Sequence, residues 1–249
     1  MNIADIERFA DMLKNSRSVV FFGGAGVSTE SGVKDYRSED GIYNSVKEYG
    51  VSPEEILSHD FFFSRPKIFF DFYYKYFLLP TPEPNRAHCA LAKLEKAGKI
   101  SAVITQNIDG LHQKAGSRNV LELHGTTAKN RCVNCGHFAS FDDMRSFQGK
   151  TAVCPVCGGL LKPDVVLYGE QLDPDVVNAT VDAIASADLM IIGGTSLAVY
   201  PAASFIGYFR GNNTVLINKG ETPYDSRADL VFRDPIGDVM SEALKLITE

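Results

Sequence analysis

A parallel sheet covered by helices on both faces is the fold this sequence predicts, and three observations carry it. Short runs that are apolar throughout, without polar alternation, recur along the chain. Amphipathic helical patterns alternate with several of them. Two of the runs stop at glycine pairs, Gly23-Gly24 and Gly193-Gly194, as buried strands do when they turn at a ligand-binding edge.

The elements follow in order. Ile3, Ile6, Phe9 and Leu13 recur at helical spacing, which predicts an amphipathic helix over 3–15. Residues 18–22 are apolar and β-branched and read as a buried strand. Further strands are expected at 101–105, 119–123, 165–168, 188–193, 214–218 and 229–232. Helices are expected at 86–97, 174–186 and 236–248. Two segments break the alternation. Residues 38–85 show no clear strand and carry, between Phe61 and Phe77, ten of the chain's 26 aromatic residues. Residues 127–162 are polar and hold four cysteines. Both read as insertions, so 1–37, 86–126 and 163–249 form a Rossmann-like domain. The helical insertion 38–85 and the cysteine-bearing insertion 127–162 form a small discontinuous domain.

At 249 residues the chain is long enough to bury a core without staples. Its 45% hydrophobic and 22% charged content is that of a globular protein and excludes disorder and collagen-like repeats. The net charge of -6, with no basic run longer than two residues, argues against direct nucleic-acid binding. No apolar run approaches the roughly 20 residues of a membrane helix. The start, Met1-Asn2-Ile3-Ala4-Asp5, has no secretory pattern. An odd number of cysteines, four of them clustered, is unlike a secreted disulfide framework, so a cytoplasmic protein is expected.

Gly24-Ala25-Gly26-Val27-Ser28 follows the first strand and is expected to open a helix whose N-terminus and glycine backbone favour a phosphate; the alternative is a tight turn. Gly194-Thr195-Ser196 and Asn218 end two later strands with groups suited to ribose and phosphate oxygens. Three such strand ends on one sheet edge favour a nucleotide.

Cys132 and Cys135, then 18 residues, then Cys154 and Cys157, have tetrathiolate zinc spacing, each pair on a glycine-bearing knuckle. Four thiolates leave no position for water, so the metal is expected to be structural. A redox dithiol is the alternative, and His137 stands as a substitute ligand. Cys89 reads as a small apolar group. The strand at 101–105 leads into Gln106-Asn107-Ile108-Asp109, unusually polar for a turn. His124 follows the strand at 119–123 and so reaches the same edge, whereas His112 falls in a helix. A histidine at such an edge suits a general base.

These stretches together resemble the sirtuins of bacterial type, the NAD-dependent protein-lysine deacylases, over essentially the full length. The matching motifs are residues 24–32, Thr105-Gln106-Asn107-Ile108-Asp109, His124-Gly125, both cysteine knuckles, residues 162–170 and Gly194-Thr195-Ser196-Leu197. The family's usual Gly-Ile-Pro-Asp-Phe-Arg is here Gly32-Val33-Lys34-Asp35-Tyr36-Arg37.

The resemblance implies site roles. Gly24, Ala25, Gly26, Glu30, Tyr36 and Arg37 belong to the NAD site, with Arg37 closing over the pyrophosphate. Gln106 binds the nicotinamide ribose, and Asn107, Ile108 and Asp109 take the carboxamide. Gly194, Thr195, Ser196 and Asn218 hold the adenosine half. His124 is the general base, with Asn107 and Asp109 as its catalytic companions. Val165, Val166, Tyr168, Gly169 and Glu170 form the edge on which an acetyl-lysine peptide pairs by strand addition. The implied products are free lysine, nicotinamide and O-acetyl-ADP-ribose.

The partners implied are acetylated proteins or peptides, with no membrane and an open oligomeric state compatible with a monomer. Protein ADP-ribosyl transfer from the same site and a non-catalytic NAD sensor are the alternatives. A dehydrogenase is disfavoured because no ribose-binding acid follows the glycine loop. The aromatic insertion is expected to be a helical module whose rings mostly form its own core, with some turned toward the NAD crevice. It lacks arginine between Arg65 and Arg86, so a neutral acyl group is expected.

Overall fold

The computed structural model of the protein describes residues 1–34 and 46–248. Along the chain run α1 (Ile3–Asn15), β1 (Val19–Gly23), α2 (Val46–Tyr49), α3 (Pro53–Ile56), α4 (His59–Ser64), α5 (Pro66–Tyr73), α6 (Arg86–Lys96) and β2 (Ile100–Thr105). There follow α7 (Leu111–Ala115), β3 (Val120–Glu122), β4 (Gly125–Cys132), β5 (Phe138–Ser140), α8 (Phe141–Arg145) and β6 (Leu161–Val165). The last elements are α9 (Pro174–Ser186), β7 (Leu189–Gly193), β8 (Asn213–Ile217), β9 (Leu230–Phe232) and α10 (Ile236–Thr248).

Six strands form one sheet in the order β3-β2-β1-β7-β8-β9, every neighbouring pair parallel. All five residues of β1 and of β7 are buried, because both faces are covered. Phe21 and Ile191 face Phe9 and Leu13 of α1, Leu91 of α6 and Met240 of α10. Phe22 and Ile192 face Ile184 of α9 and Phe205 on the other side. The continuous apolar runs in the sequence thus have their physical cause in two-sided burial.

Local signals set the helix ends. The Asn2 side chain accepts from the Ala4 amide at the start of α1, and Asp173 accepts from Asp175 and Val176 ahead of Pro174 in α9. Asn85 caps α6, and its own amide donates to His88 Nδ1 in return. Each such cap stabilises a helix by roughly 1 kcal/mol.

Two sequence expectations differ from the structure. The strand expected at 165–168 is not part of the parallel sheet. The regular strand is β6, which ends at Val165 and pairs antiparallel with β4 in a small sheet of order β5-β4-β6. Residues beyond it continue without a ladder, apart from an isolated bridge between Ser58 and Tyr168. An apolar run does not reveal which sheet it joins. The glycine loop, in turn, opens no α-helix. It forms two single 3-10 turns, Ala25–Val27 and Thr29–Ser31, which stop at Gly32 with φ 80°.

The small sheet spans 125–165, slightly more than the segment 127–162 expected from the cysteines. The aromatic segment is helical and packs on it. Phe62, Phe69, Phe70, Phe72, Tyr73 and Tyr74 share one apolar cluster with Cys132, Met144, Cys154 and Leu161. Each fully buried ring contributes roughly 1.5–3 kcal/mol of apolar transfer.

Where α6 meets α7, two buried imidazoles stack edge to face, His88 and His112, with centroids 4.7 Å apart. Burial pushes His88 down to about 4, against the opposing pull of Asp109. Burial first, and His88 second, push His112 down to about 3. In the unfolded chain both take up a proton near pH 6.5. Between that pH and about 4 the unfolded state therefore binds more protons, so folding stability is full above 6.5 and falls as the pH drops. Melting temperature measured from pH 7.5 to 5 is expected to decrease, with a shallower slope in His112→Leu.

Candidate active site and metal centre

The parallel strands end level with one another. Gly23 pairs with Thr105 on one side and Gly193 on the other, and Gly193 pairs with Ile217. The residues that follow each strand therefore meet at the C-terminal edge, where open α/β sheets bind ligands. They are Gly24-Ala25-Gly26, Gln106-Asn107, Gly194-Thr195-Ser196 and Asn218, with Leu123-His124 after β3.

The two glycine loops pack on each other. The Gly26 amide donates to the Gly194 carbonyl at 2.8 Å, and the Gly24 amide to the Gly193 carbonyl at 3.2 Å. A Cβ on Gly26 would lie 2.8 Å from Gly194 Cα, and one on Gly194 2.3 Å from the Val27 nitrogen. The amides of Gly24, Gly26 and Val27 are all engaged inside the protein. These glycines serve loop-on-loop contact at least as much as ligand approach.

Beside them Ser28, fully buried, joins two polar side chains. Its Oγ donates to Asp109 Oδ2 at 2.7 Å and accepts from Asn107 Nδ2 at 3.0 Å. Asp109 Oδ1 accepts from the Leu111 amide, and both the amide and hydroxyl of Thr127 donate to the Ile108 carbonyl at 3.0 Å. Asn107, Ile108 and Asp109 are thereby held in one conformation. Gln106 Nε2 donates to Thr195 Oγ1 at 3.1 Å, tying the β2 loop to the β7 loop.

His124 Nδ1 lies 3.0 Å from the Gln106 carbonyl. A carbonyl only accepts, so Nδ1 carries the proton and Nε2 keeps its lone pair. Burial lowers the imidazole pKa below its ordinary value, partly countered by that same hydrogen bond. The result is a neutral, oriented base at neutral pH.

The edge segment after β6 passes close by. The Val166 amide donates to the His124 carbonyl at 3.0 Å, the Tyr168 amide to Leu57, and the His59 amide to the Tyr168 carbonyl. Val165, Val166, Tyr168, Gly169 and Glu170 thus run from the small sheet past His124 to the helical segment.

The other sequence-predicted residues fall as follows. Tyr36 and Arg37 lie outside the described residues. Glu30 turns toward α10, where its Oε1 accepts from the Gly237 amide at 3.1 Å at the helix start. Its carboxylate there complements the positive end of that helix. Asn218 Nδ2 donates to the Gly220 carbonyl, and Arg233 donates to the carbonyls of Asn218 and Gly220, which shapes the loop after β8. The buried aromatic rings of 61–77 belong to the small module's own cluster, not to the clusters on either face of the parallel sheet. The expectation of rings in the crevice gains no support from them. Lys75 pairs with Glu48. Ser28 and Thr127 were not among the predicted site residues. Ser28 had a signal, its place in the glycine loop, but Thr127 had none, because its role is a contact across the fold.

Four sulfur atoms, of Cys132, Cys135, Cys154 and Cys157, lie within 4.8 Å of one another. The closest pairs are 3.4 Å for Cys132–Cys157, 3.5 Å for Cys135–Cys157 and 3.7 Å for Cys135–Cys154. A tetrahedron with metal–sulfur bonds of about 2.3 Å has edges of about 3.8 Å, so the cluster fits one Zn2+. The two knuckles repeat one design. The Asn134 amide donates to Cys132 Sγ and the Val156 amide to Cys154 Sγ, both at 3.4 Å. Gly136 and Gly158 then turn the chain at φ 71° and 73°. His137 is not part of the cluster.

A parallel sheet with converging glycine, amide and imidazole groups at one edge, and a four-cysteine ribbon beside it, defines an NAD-type α/β protein with a structural zinc module. The sequence model of the Sir2 family matches residues 24–201, and the chain belongs to that family. It is 52% identical over 241 residues to an NAD-dependent protein deacetylase of Clostridium perfringens, which covers 96% of this chain and 98% of that protein. A protein of the same description from Staphylococcus epidermidis is 42% identical over 242 residues, 97% of this chain and 98% of the relative. Among solved structures, a Sir2 homologue in complex with NAD superposes with TM-score 0.86 at 36% identity, over 97% of this chain and 93% of that one. A Sir2 bound to acetylated peptide gives 0.84 at 35% identity, over 96% and 97%.

Because Cys132 and Cys154 are buried in the same cluster as the aromatic rings, metal removal should reach beyond the ribbon. Chelation or Cys154→Ser is expected to lower the melting temperature and to raise hydrogen exchange in both 125–165 and 53–78. Full zinc stoichiometry retained in Cys154→Ser would refute the tetrathiolate site.

Proposed function

We propose that this protein removes acetyl groups from lysine side chains of proteins at the expense of NAD, releasing nicotinamide and O-acetyl-ADP-ribose. Bound NAD supplies a glycosidic bond whose cleavage frees nicotinamide and makes its ribose the acceptor of the acetyl group. The chain's own residues prepare the rest. Asn107, Ile108 and Asp109, held by Ser28 and Thr127, form the carboxamide pocket. Gln106 and Thr195 line the ribose side, with Gly24, Ala25 and Gly26 at the pyrophosphate. Gly194, Ser196 and Asn218 face the adenosine half. The edge 165–170 receives the acetylated peptide through main-chain hydrogen bonds, so many sequences suit it.

The observation that carries this reading is the contact of His124 Nδ1 with the Gln106 carbonyl. The Gln106 carbonyl fixes the proton on Nδ1, and Nε2 is left to accept a proton from a ribose hydroxyl. A sensor has no use for such a base. The substrates would be acetylated proteins of the cytoplasm. The two insertions would act as one small domain that closes the substrate side.

Incubation of the protein with NAD and an acetyl-lysine peptide, followed by mass spectrometry, separates these readings by product. His124→Ala is expected to retain NAD binding by calorimetry and to lose roughly two to four orders of magnitude in deacetylation rate. In the unaltered enzyme the acidic limb of kcat/KM against pH should fall below 6.5, because burial holds the base of the free enzyme neutral to lower pH. Transfer of the effect to His112→Ala would refute the choice of base.

Acyl selection follows from charge. Lys75 is engaged with Glu48, and a buried carboxylate without a cationic partner costs several kcal/mol. On matched peptides kcat/KM is expected to favour acetyl over succinyl; a tenfold succinyl preference, about 1.4 kcal/mol, would refute it.

A further inference from the structure

Lys162 in β6 and Glu170 form an ion pair at the strand edge, and their side chains are only 20% and 21% exposed. Lys162 Nζ lies 2.9 Å from Glu170 Oε2. The same oxygen accepts from the Leu167 amide at 2.9 Å, while Nζ also donates to the carbonyls of Val165 at 3.0 Å and Pro163 at 3.3 Å. The Glu170 amide closes the turn by donating to the Leu167 carbonyl at 2.9 Å.

The segment so bracketed has no sheet to hold it. β6 ends at Val165, its last ladder partner being Gly125. Beyond it, Val166 and Tyr168 find main-chain partners in His124, Leu57 and His59. Val165 and Leu167 are secured by the two charged side chains. An extended segment outside a ladder keeps its form only when its backbone groups find partners. A surface ion pair would add little, but this one is largely withdrawn from water and makes charge-assisted bonds to the backbone. Removing one partner leaves the other charge half-buried and the strand end loose.

We propose that Lys162 and Glu170 are positioning residues for the acylated peptide. Through their side chains they hold the extended stretch 165–168 and the turn at Gly169 beside which the peptide pairs, without contacting the reacting groups. The proposal rests on the deacetylase reading of the site. It predicts a defect confined to the peptide, since the NAD loops lie on strands of the other sheet.

The test uses the full chain with zinc bound. Affinity for a fluorescently labelled acetyl-lysine peptide is measured by anisotropy, and KM for peptide and for NAD by steady-state kinetics. Lys162→Met is expected to weaken peptide binding and raise peptide KM by about tenfold, with NAD KM within about twofold of the unaltered enzyme. Lys162→Arg, which keeps the charge, is expected to restore peptide KM to within about twofold. Should Lys162→Met fail to fold, as judged by zinc content and melting temperature, Glu170→Gln decides, with a rise in peptide KM of about threefold or more expected at constant NAD KM. Unchanged peptide affinity, or equal losses for NAD and peptide, overturns the proposal. An unaltered enzyme that neither binds nor turns over acetyl-lysine peptide overturns the deacetylase reading itself.

Discussion

The contact between Gly26 and Gly194 is where the geometry of the sheet edge originates. Their backbones meet with a 2.8 Å hydrogen bond and no room for a Cβ on either side. That contact sets the distance between the loops after β1 and β7. Thr195, the next residue, then receives Gln106, and the Gln106 carbonyl orients His124. A chain of short contacts thus runs from a steric requirement in the glycine loops to the protonation state of one imidazole. Ser28, two residues beyond Gly26, carries the same order to Asn107 and Asp109.

A second level of organisation lies in the small module. Its aromatic helices and its cysteine ribbon are far apart in sequence, yet they share one apolar cluster. Neither part builds a sheet large enough to bury its own face. The ribbon presents Cys132 and Cys154 inward and leaves Cys135 and Cys157 exposed. The metal site therefore closes one side of the cluster that the rings fill from the other. Structural zinc supplies folding free energy to such a segment in place of core.

The segment 166–170 sits between the two parts and belongs to neither sheet. It is bound to His124 on one side, to Leu57 and His59 on another, and to the Lys162–Glu170 pair beneath. A segment outside a full ladder is shaped by these few side-chain and single backbone bonds. The same arrangement explains why its apolar sequence reads as a strand of the large sheet: periodicity reports extension and burial but not the partner.

The alternation of buried runs and amphipathic helices determined α1, α6, α9 and α10 and the six parallel strands to within a residue or two, because each signal is local and repeated. The cysteine spacing determined the four thiolates, since a knuckle of two residues between ligands leaves little conformational choice. What only tertiary structure decided is everything that depends on contacts between distant positions. Glu30 faces Gly237 across more than two hundred residues, the Ile108 carbonyl is held by Thr127, and the rings of 61–77 turn to the zinc ribbon. The tautomer of His124 is of this kind as well. A histidine after a strand is visible in the sequence, but the carbonyl that fixes its proton is placed by the loop of another strand. Local sequence encodes which conformations a segment adopts at low cost. Which groups then meet is set by the packing of those segments around a shared core, and that information has no local form.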